Sequence, residues 1–377
     1  MKKIYTIKIE PLTAVHIGAG DTLTPLDYKL ADMKLKTGGT KKVYAKFSSD
    51  AMLKRLIESN DENALKEFET MSGSGNMKAL QEFFHSHFSR DDVEYTCDVT
   101  KPFMEKYTAN ISGNPLGNAL EVSQMYRPAG KKNPIIPGSS IKGAIRTALL
   151  NDKIDLLDKT ENQKNIKDVE KKLFGFKNEK DDPLRALVIS DAVFESKGSS
   201  FVGVVKNVAP NKYSGNLEAK KMQMIAEMIF GSLLGVQNTS TANFLLDIDL
   251  QNSLVASDNP RKNFTMQTKF DIKDIIDSCN NFFANAFDDE YEKFFTKCVE
   301  KTDVIIHLRK QIDEIYESKN SFPLRLGHWS QVEFVTLDRA RSPSKRGKIQ
   351  KYGTTRTLLD YNNNFVPMGW CKCTVLD

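Results

Sequence analysis

The run "IIPGSSIKGAIRTALL", Ile135–Leu150, leads a Pro-Gly-Ser-Ser turn straight into a helical pattern. Ile141, Ile145 and Leu149 recur every four residues and form one apolar face, suited to packing on a sheet. Ser139 or Ser140 is placed to cap the helix, whose free N–H groups point outward with the positive end of the dipole. Lys142 and Arg146 lie four apart and share a second face. The stretch reads either as a plain helix start or as a grip for an anion. It is not a nucleotide-hydrolysing loop. Gly138 and Gly143 have P-loop spacing, but Ala144 and Ile145 follow where Lys and Ser or Thr must reach the terminal phosphates and Mg²⁺. Such a grip holds a phosphate and hydrolyses nothing.

Outward from this helix, strands and helices alternate. "IYTIKIEPL" alternates as a first strand, and "HIGAGD" makes a glycine loop before a further extended run. "KVYAKF" and "DVEYTCDVT" read as strands, and a helical insertion at about 49–90 separates them. Residues 107–134, rich in Gly, Asn and Pro, read as a projecting loop. "RALVISDAVF" reads as a buried strand in which Asp191 bridges helix and loop. Beyond residue 200, "SFVGVVKNVAPN" is extended and "NLEAKKMQMIAEMIFGSLLGV" reads as a helix. Met222, Met224 and Met228 sit there as core residues or as a partner groove. "ANFLLDIDL" is a strand, 271–317 is mostly helical, and "FVPMGWCKCTVL" closes the chain as a strand. The order implies an α+β fold of two units with antiparallel sheets, 1–199 and 200–377.

Composition narrows the function. With 40% apolar and 27% charged residues the chain reads as globular, and no window approaches the roughly 18–20 apolar residues of a membrane helix. The start, "MKKIYTIKIE", reads as a strand and not as a signal peptide. Cys97, Cys279, Cys298, Cys371 and Cys373 are scattered and complete no zinc pattern, so the cytoplasm fits and no metal or cofactor is implied. The net charge is +5, but its distribution is uneven. Arg127, Lys131, Lys132, Lys142 and Arg146 fall in an acid-free stretch from 122 to 151. Arg339, Arg341, Lys345, Arg346, Lys348, Lys351 and Arg356 fall in another from 339 to 359. Two uncompensated basic stretches suggest either a polyanion partner or a pair of solvated loops.

"HIGAGD" after the first strand, "IPGSSIKGAIRTALL", "VISDAVF", and the late "FPLRLGHWS" followed by "PMGW" together resemble the RAMP superfamily of CRISPR proteins. Within it, the pattern is most similar to the family of fifth subunits of type III-A (Csm) interference complexes. The resemblance covers essentially the whole chain and implies two ferredoxin-like (RRM-type) domains with helical insertions. It also implies a subunit that caps one end of the complex and binds the 3′ portion of the CRISPR RNA (crRNA) and the facing target RNA. Maturation of that 3′ end, with other Csm subunits and host nucleases as partners, belongs to the same expectation. Carried over residue by residue, His16, Gly18 and Gly20 would lie on the RNA backbone beside Ser139 and Ser140. Lys142 and Arg146 would touch phosphates, and Arg325 and His328 would flank Gly327 in the second glycine loop. Arg127, Lys131, Lys132, Lys345, Arg346, Lys348 and Lys351 complete the expected RNA contacts. "RLGHWS" has a single glycine where many relatives have more, and no RNP aromatics are recognisable, so backbone holding is expected and base readout by side chains is not.

Catalytic alternatives attach to particular residues. His16 would serve a metal-independent guide-processing nuclease as acid or base. Asp21, with Asp27, would serve a metal-dependent backbone-type ribonuclease. His85 and His87, two apart on a helix, point about 200° from each other and suit a structural role. The reading carried forward is an RNA-binding assembly subunit without catalysis of its own.

Overall fold

The computed structural model describes residues 1–156, 166–195, 198–211, 213–256, 269–296, 303–337, 353–362 and 364–376. Two sheets organise it. The first has five antiparallel strands in the order Ser321–Arg325, Trp370–Val375, Lys2–Pro11, Ser240–Asp247 and Leu187–Ile189. Ile7 and Ile9 of its central strand point inward with no exposure, opposite Ala242 and Ser240 on one side and Val375 and Cys373 on the other. Helices Gly138–Asn151 and Ile272–Cys279 contact each other and this sheet. Along the chain this gives strand, helix, strand, strand, helix, strand, the ferredoxin-like order, with Ser321–Arg325 added at the edge.

The core beneath this sheet joins Ile141, Ile145 and Leu149 of the first helix to Phe244, Phe283 and Trp370. Burial of each such side chain contributes about 1.5–3 kcal/mol. The apolar face expected from the sequence is therefore the one that packs. Cys371 and Cys373 are buried beside it as free thiols.

The second sheet has nine strands. Its main path runs Gly18–Leu23, Val122–Met125, Leu217–Ile229, Ser200–Pro210, Val93–Val99, Thr40–Phe47 and Tyr28–Lys34. Arg356–Tyr361 pairs with Ser200–Pro210 and carries Asn364–Val366 at its side. The helical insertion forms three helices, Ser49–Glu58, Glu62–Ser74 and Met77–Ser86, capped by the side chains of Ser48, Asp61 and Asn76. They enclose a core of their own around Phe47, Met52, Leu56, Phe83 and Phe84.

The α+β class holds, and three finer expectations change. The linear division at 199/200 does not follow the sheets, because each takes strands from both sides of that point. The segment read as a helix after residue 216 is the strand Leu217–Ile229, paired with Ser200–Pro210 over most of its length. Its Ala, Lys, Glu and Met residues favour helix locally, but a buried partner strand outweighs tenths of a kcal/mol per residue. The loop at 107–134 contains the end of helix Lys101–Asn110 and the sheet strand Val122–Met125, leaving a shorter excursion around Lys131 and Lys132.

Candidate nucleic-acid interface

Strands Lys2–Pro11 and Ser321–Arg325 flank Trp370–Val375, and Pro11 and Leu324 both stand opposite Cys371. They therefore run parallel and release their following loops at the same end of the sheet. The two loops meet there. The N–H of His328 donates to the carbonyl of His16 at 3.0 Å, and the N–H of Leu326 donates to the carbonyl of Gly369 at 2.7 Å. Gly327 makes the junction possible: its φ is +99°, and a Cβ would lie 2.3 Å from the His16 carbonyl oxygen.

Between these loops and helix Gly138–Asn151 lies a cleft of about 660 Å³. His16 lines it from the first loop, with Gly18 and Gly20 from the strand Gly18–Leu23 that follows, and His328 and Trp329 line it from the second loop, with Arg325 at the end of the strand before it. The helix contributes Ser140, Gly143, Ala144 and Thr147, a small-residue face at the i, i+3, i+4, i+7 spacing. The helix thus has three working faces, and the cleft face is not the one carrying Lys142 and Arg146.

Those two cations are engaged elsewhere. Lys142 Nζ donates to the carbonyl of Leu187 at 2.7 Å, and burial lowers its pKa. Arg146 binds Asp182 at 2.7 Å and Glu170 at 2.9 Å, with its guanidinium over the Phe174 ring. The expected serine cap also changes. Pro137 is the N-cap residue and no side chain of its own caps the helix, while Asp191 Oδ1 accepts the N–H of Gly138 at 2.8 Å. The anion at this helix start is the chain's own carboxylate, so Asp191 bridges helix and loop as expected. Ser139 is exposed and does not line the cleft.

His16 is 3% exposed. Its Nδ1 lies 2.7 Å from the carbonyl of Glu227, which fixes Nδ1 as the protonated, donating nitrogen. Burial lowers its pKa, with His328 adding to that effect, so the ring is neutral and Nε2 is a bare acceptor. A ring held this way has no proton to give as a general acid near neutrality. It stacks on Trp329, centroids 4.9 Å apart, and His328 meets Trp329 edge-on at 5.2 Å.

Glu227 links this loop to the basic excursion. Its buried carboxylate receives Arg127, the Cys97 thiol at 3.0 Å and the Tyr95 hydroxyl at 3.3 Å. Arg127 also covers the Tyr95 ring at 3.9 Å and donates to the carbonyl of Lys132 at 2.9 Å. The pinned excursion leaves Lys131 and Lys132 exposed, without ion pairs among the described residues. They line a second cleft of about 460 Å³, and Gln124 lines both clefts.

Arg325 is fully buried. It pairs with Glu290 at 2.8 Å, and Arg356 pairs with Glu290 at 2.6 Å and Glu333 at 3.2 Å. Arg325 Nη2 has no hydrogen-bond partner among the described residues, although the side chain lines the cleft. Lys345, Arg346, Lys348 and Lys351 lie outside the described residues. The alternative catalytic groups are also placed. Asp21 is exposed in the cleft, and Asp27 holds a turn by accepting from the N–H of Thr24 at 2.9 Å and its hydroxyl at 3.0 Å. His85 sits 2.8 Å from the carbonyl of Pro25, and His87 lies on the Phe83 ring at 4.4 Å. Sequence reasoning missed Gly143, Thr147, Glu227 and Trp329. The small-residue spacing within the quoted helix was the signal for the first two.

The chain matches the RAMP superfamily over residues 8–327. No curated protein matches it by sequence. Among solved structures it is similar to a chain of a Csm–crRNA–target RNA ternary complex of the type III-A CRISPR-Cas system. That match has 18% identity and a TM-score of 0.64 and covers 100% of both chains. It is also similar to Csm5 of T. onnurineus, at 18% identity and a TM-score of 0.62, over 98% of this chain and 100% of that one. Those likenesses concern the fold, whereas the match over residues 8–327 is to the sequence family itself: the chain belongs to the RAMP superfamily.

Proposed function

We propose that this protein is a non-catalytic RNA-binding subunit capping the crRNA 3′ end of a type III-A Csm complex. The observation that carries the reading is the convergence of both glycine loops and the small-residue helix face on one cleft. Glycine backbone and small side chains let a polynucleotide approach closely. Lys131 and Lys132 add exposed charge beside it, and Lys345, Arg346, Lys348 and Lys351 belong to the same proposal. The partners are the crRNA, the facing target RNA and other Csm subunits, with host nucleases admitted for 3′-end maturation and the cytoplasm as the place of assembly. The likeness to a chain of a complex containing crRNA and target RNA supports this assignment.

A crosslink map of the chain along the crRNA in the assembled complex tests it. One cluster near the 3′ end is the expected result, and contacts repeating evenly along the guide would refute capping. A second reading, a backbone-type ribonuclease, has one observation in its favour: Asp21 stands exposed in the cleft. It requires Mg²⁺-dependent target cleavage that disappears in Asp21→Asn. Under the capping reading that variant leaves target cleavage by the complex unchanged.

A further inference from the structure

We propose that the corner between His328 and Trp329 is a stacking seat for one unpaired nucleobase, so that the cleft takes single-stranded RNA by a base as well as by its backbone. This rests on the RNA-holding reading above and deepens it.

The chemistry of the walls argues for a base. Among the described residues, the cleft is lined by one acidic side chain, Asp21, and one arginine, Arg325, opposite in sign, with Arg325 already paired to Glu290. The remaining walls are rings, glycine backbone and neutral groups such as Gln124 and Ser140. A phosphate finds little complementary charge there. A flat, neutral body with hydrogen-bonding edges finds both a π-surface and partners for its edge.

The geometry fits the same occupant. His328 is exposed and Trp329 half-buried, and their planes meet at 80°. A ring stacked on one therefore presents its edge to the other, the arrangement aromatic quadrupoles favour. His16 packs against Trp329 at 25° and is anchored to Glu227, so the indole is backed by a fixed ring. The seat is preorganised. Because Gln124 lines both clefts, a strand seated by its base can continue towards Lys131 and Lys132, where charge awaits its phosphates. Contact of this kind reads no sequence, since every base has a π-face.

The test uses the full chain, a short oligouridine and an abasic ribose-phosphate strand of the same length. The protein has two tryptophans, and Trp370 is 0% exposed, so a change in indole emission on titration reports Trp329. Oligouridine is expected to quench emission in the wild type, and Trp329→Phe to abolish the quench while keeping affinity within about threefold. Trp329→Ala is expected to lose about tenfold in affinity for oligouridine and nothing for the abasic strand. Equal losses on both strands, or no loss on either, overturn the seat while leaving RNA holding intact. Failure of both strands to bind the wild type at low salt overturns the RNA-holding reading, and the seat with it. Should Trp329→Ala not fold, exposed His328→Ala carries the same two-strand comparison.

Discussion

The backbone N–H of His328 donates to the carbonyl of His16 at 3.0 Å, tying the loop after the first strand to a loop near the far end of the chain. Neither side chain takes part in this bond, so sequence changes at either residue leave it available. What it cannot survive is bulk at Gly327. The two loops become one rim only because that position has no Cβ.

Gly327→Ala is therefore expected to destabilise the fold by about 2–3 kcal/mol, combining positive-φ strain with a contact 2.3 Å from the His16 oxygen. Urea unfolding measures it. RNA affinity should fall with it, because the rim of the cleft opens. A midpoint equal to wild type would mean that the two loops are not docked as described.

Gly143 gives the opposite case. A Cβ there meets nothing within 4 Å, and its direction is the cleft. Gly143→Ala should raise stability by about 0.5–1 kcal/mol, since glycine is costly inside a helix. Gly143→Leu should retain the wild-type fold yet lower RNA affinity at least about tenfold by filling the space a strand would occupy. Filter binding alongside thermal unfolding separates the two effects, and unchanged affinity in Gly143→Leu would move the RNA away from this cleft.

Local periodicity carried much of this fold. Ile141, Ile145 and Leu149 stand every four residues, and they are the face that packs. The segment around Met222 and Met228 misled, because its composition is helical and the partner strand that overrides it is not visible from within the window. The site was half legible for the same reason. His16, Gly18, Gly20 and His328 were marked by motif and do converge. Lys142 and Arg146 look free in sequence, yet Leu187, Glu170 and Asp182 arrive from distant positions to engage them. Charge in a sequence shows only that a cation exists. Its availability is a tertiary property.

That distinction has a measurable consequence in salt dependence. Each phosphate contact on a single strand contributes a slope of about 0.7 in log affinity against log salt. Lys131→Ala with Lys132→Ala should reduce the slope by up to about 1.4, because both side chains are exposed and unpaired among the described residues. Lys142→Ala with Arg146→Ala should leave the slope near wild type and instead cost about 1 kcal/mol or more of stability, as Glu170 and Asp182 lose their partner. The reverse pattern would return the helix face to the role of phosphate grip.

Two histidines, His16 buried and His85 half-buried, make stability depend on pH in a definite direction. Burial lowers the pKa of His16, against the opposing pull of its bond to the Glu227 carbonyl and with His328 adding to the lowering. His85, held between the carbonyls of Pro25 and Tyr28, is lowered by burial too, with Lys29 and Lys78 adding to it. The unfolded chain binds a proton at each ring near pH 6.5, about the free value, while the folded chain resists until a lower pH. Between those points the unfolded state holds more protons, so stability rises with pH there. The contribution is complete above about pH 6.5 and is lost as pH falls towards the folded values, at no more than about 1.4 kcal/mol per pH unit for each ring. Urea midpoints at about pH 7.5 and about pH 5.5 should therefore differ, with the lower pH less stable. His16→Gln, whose amide N–H can still donate to the Glu227 carbonyl, should show a smaller difference between the two. A difference as large as wild type would assign the pH response elsewhere and restore His16 as a group able to take up a proton in the folded cleft.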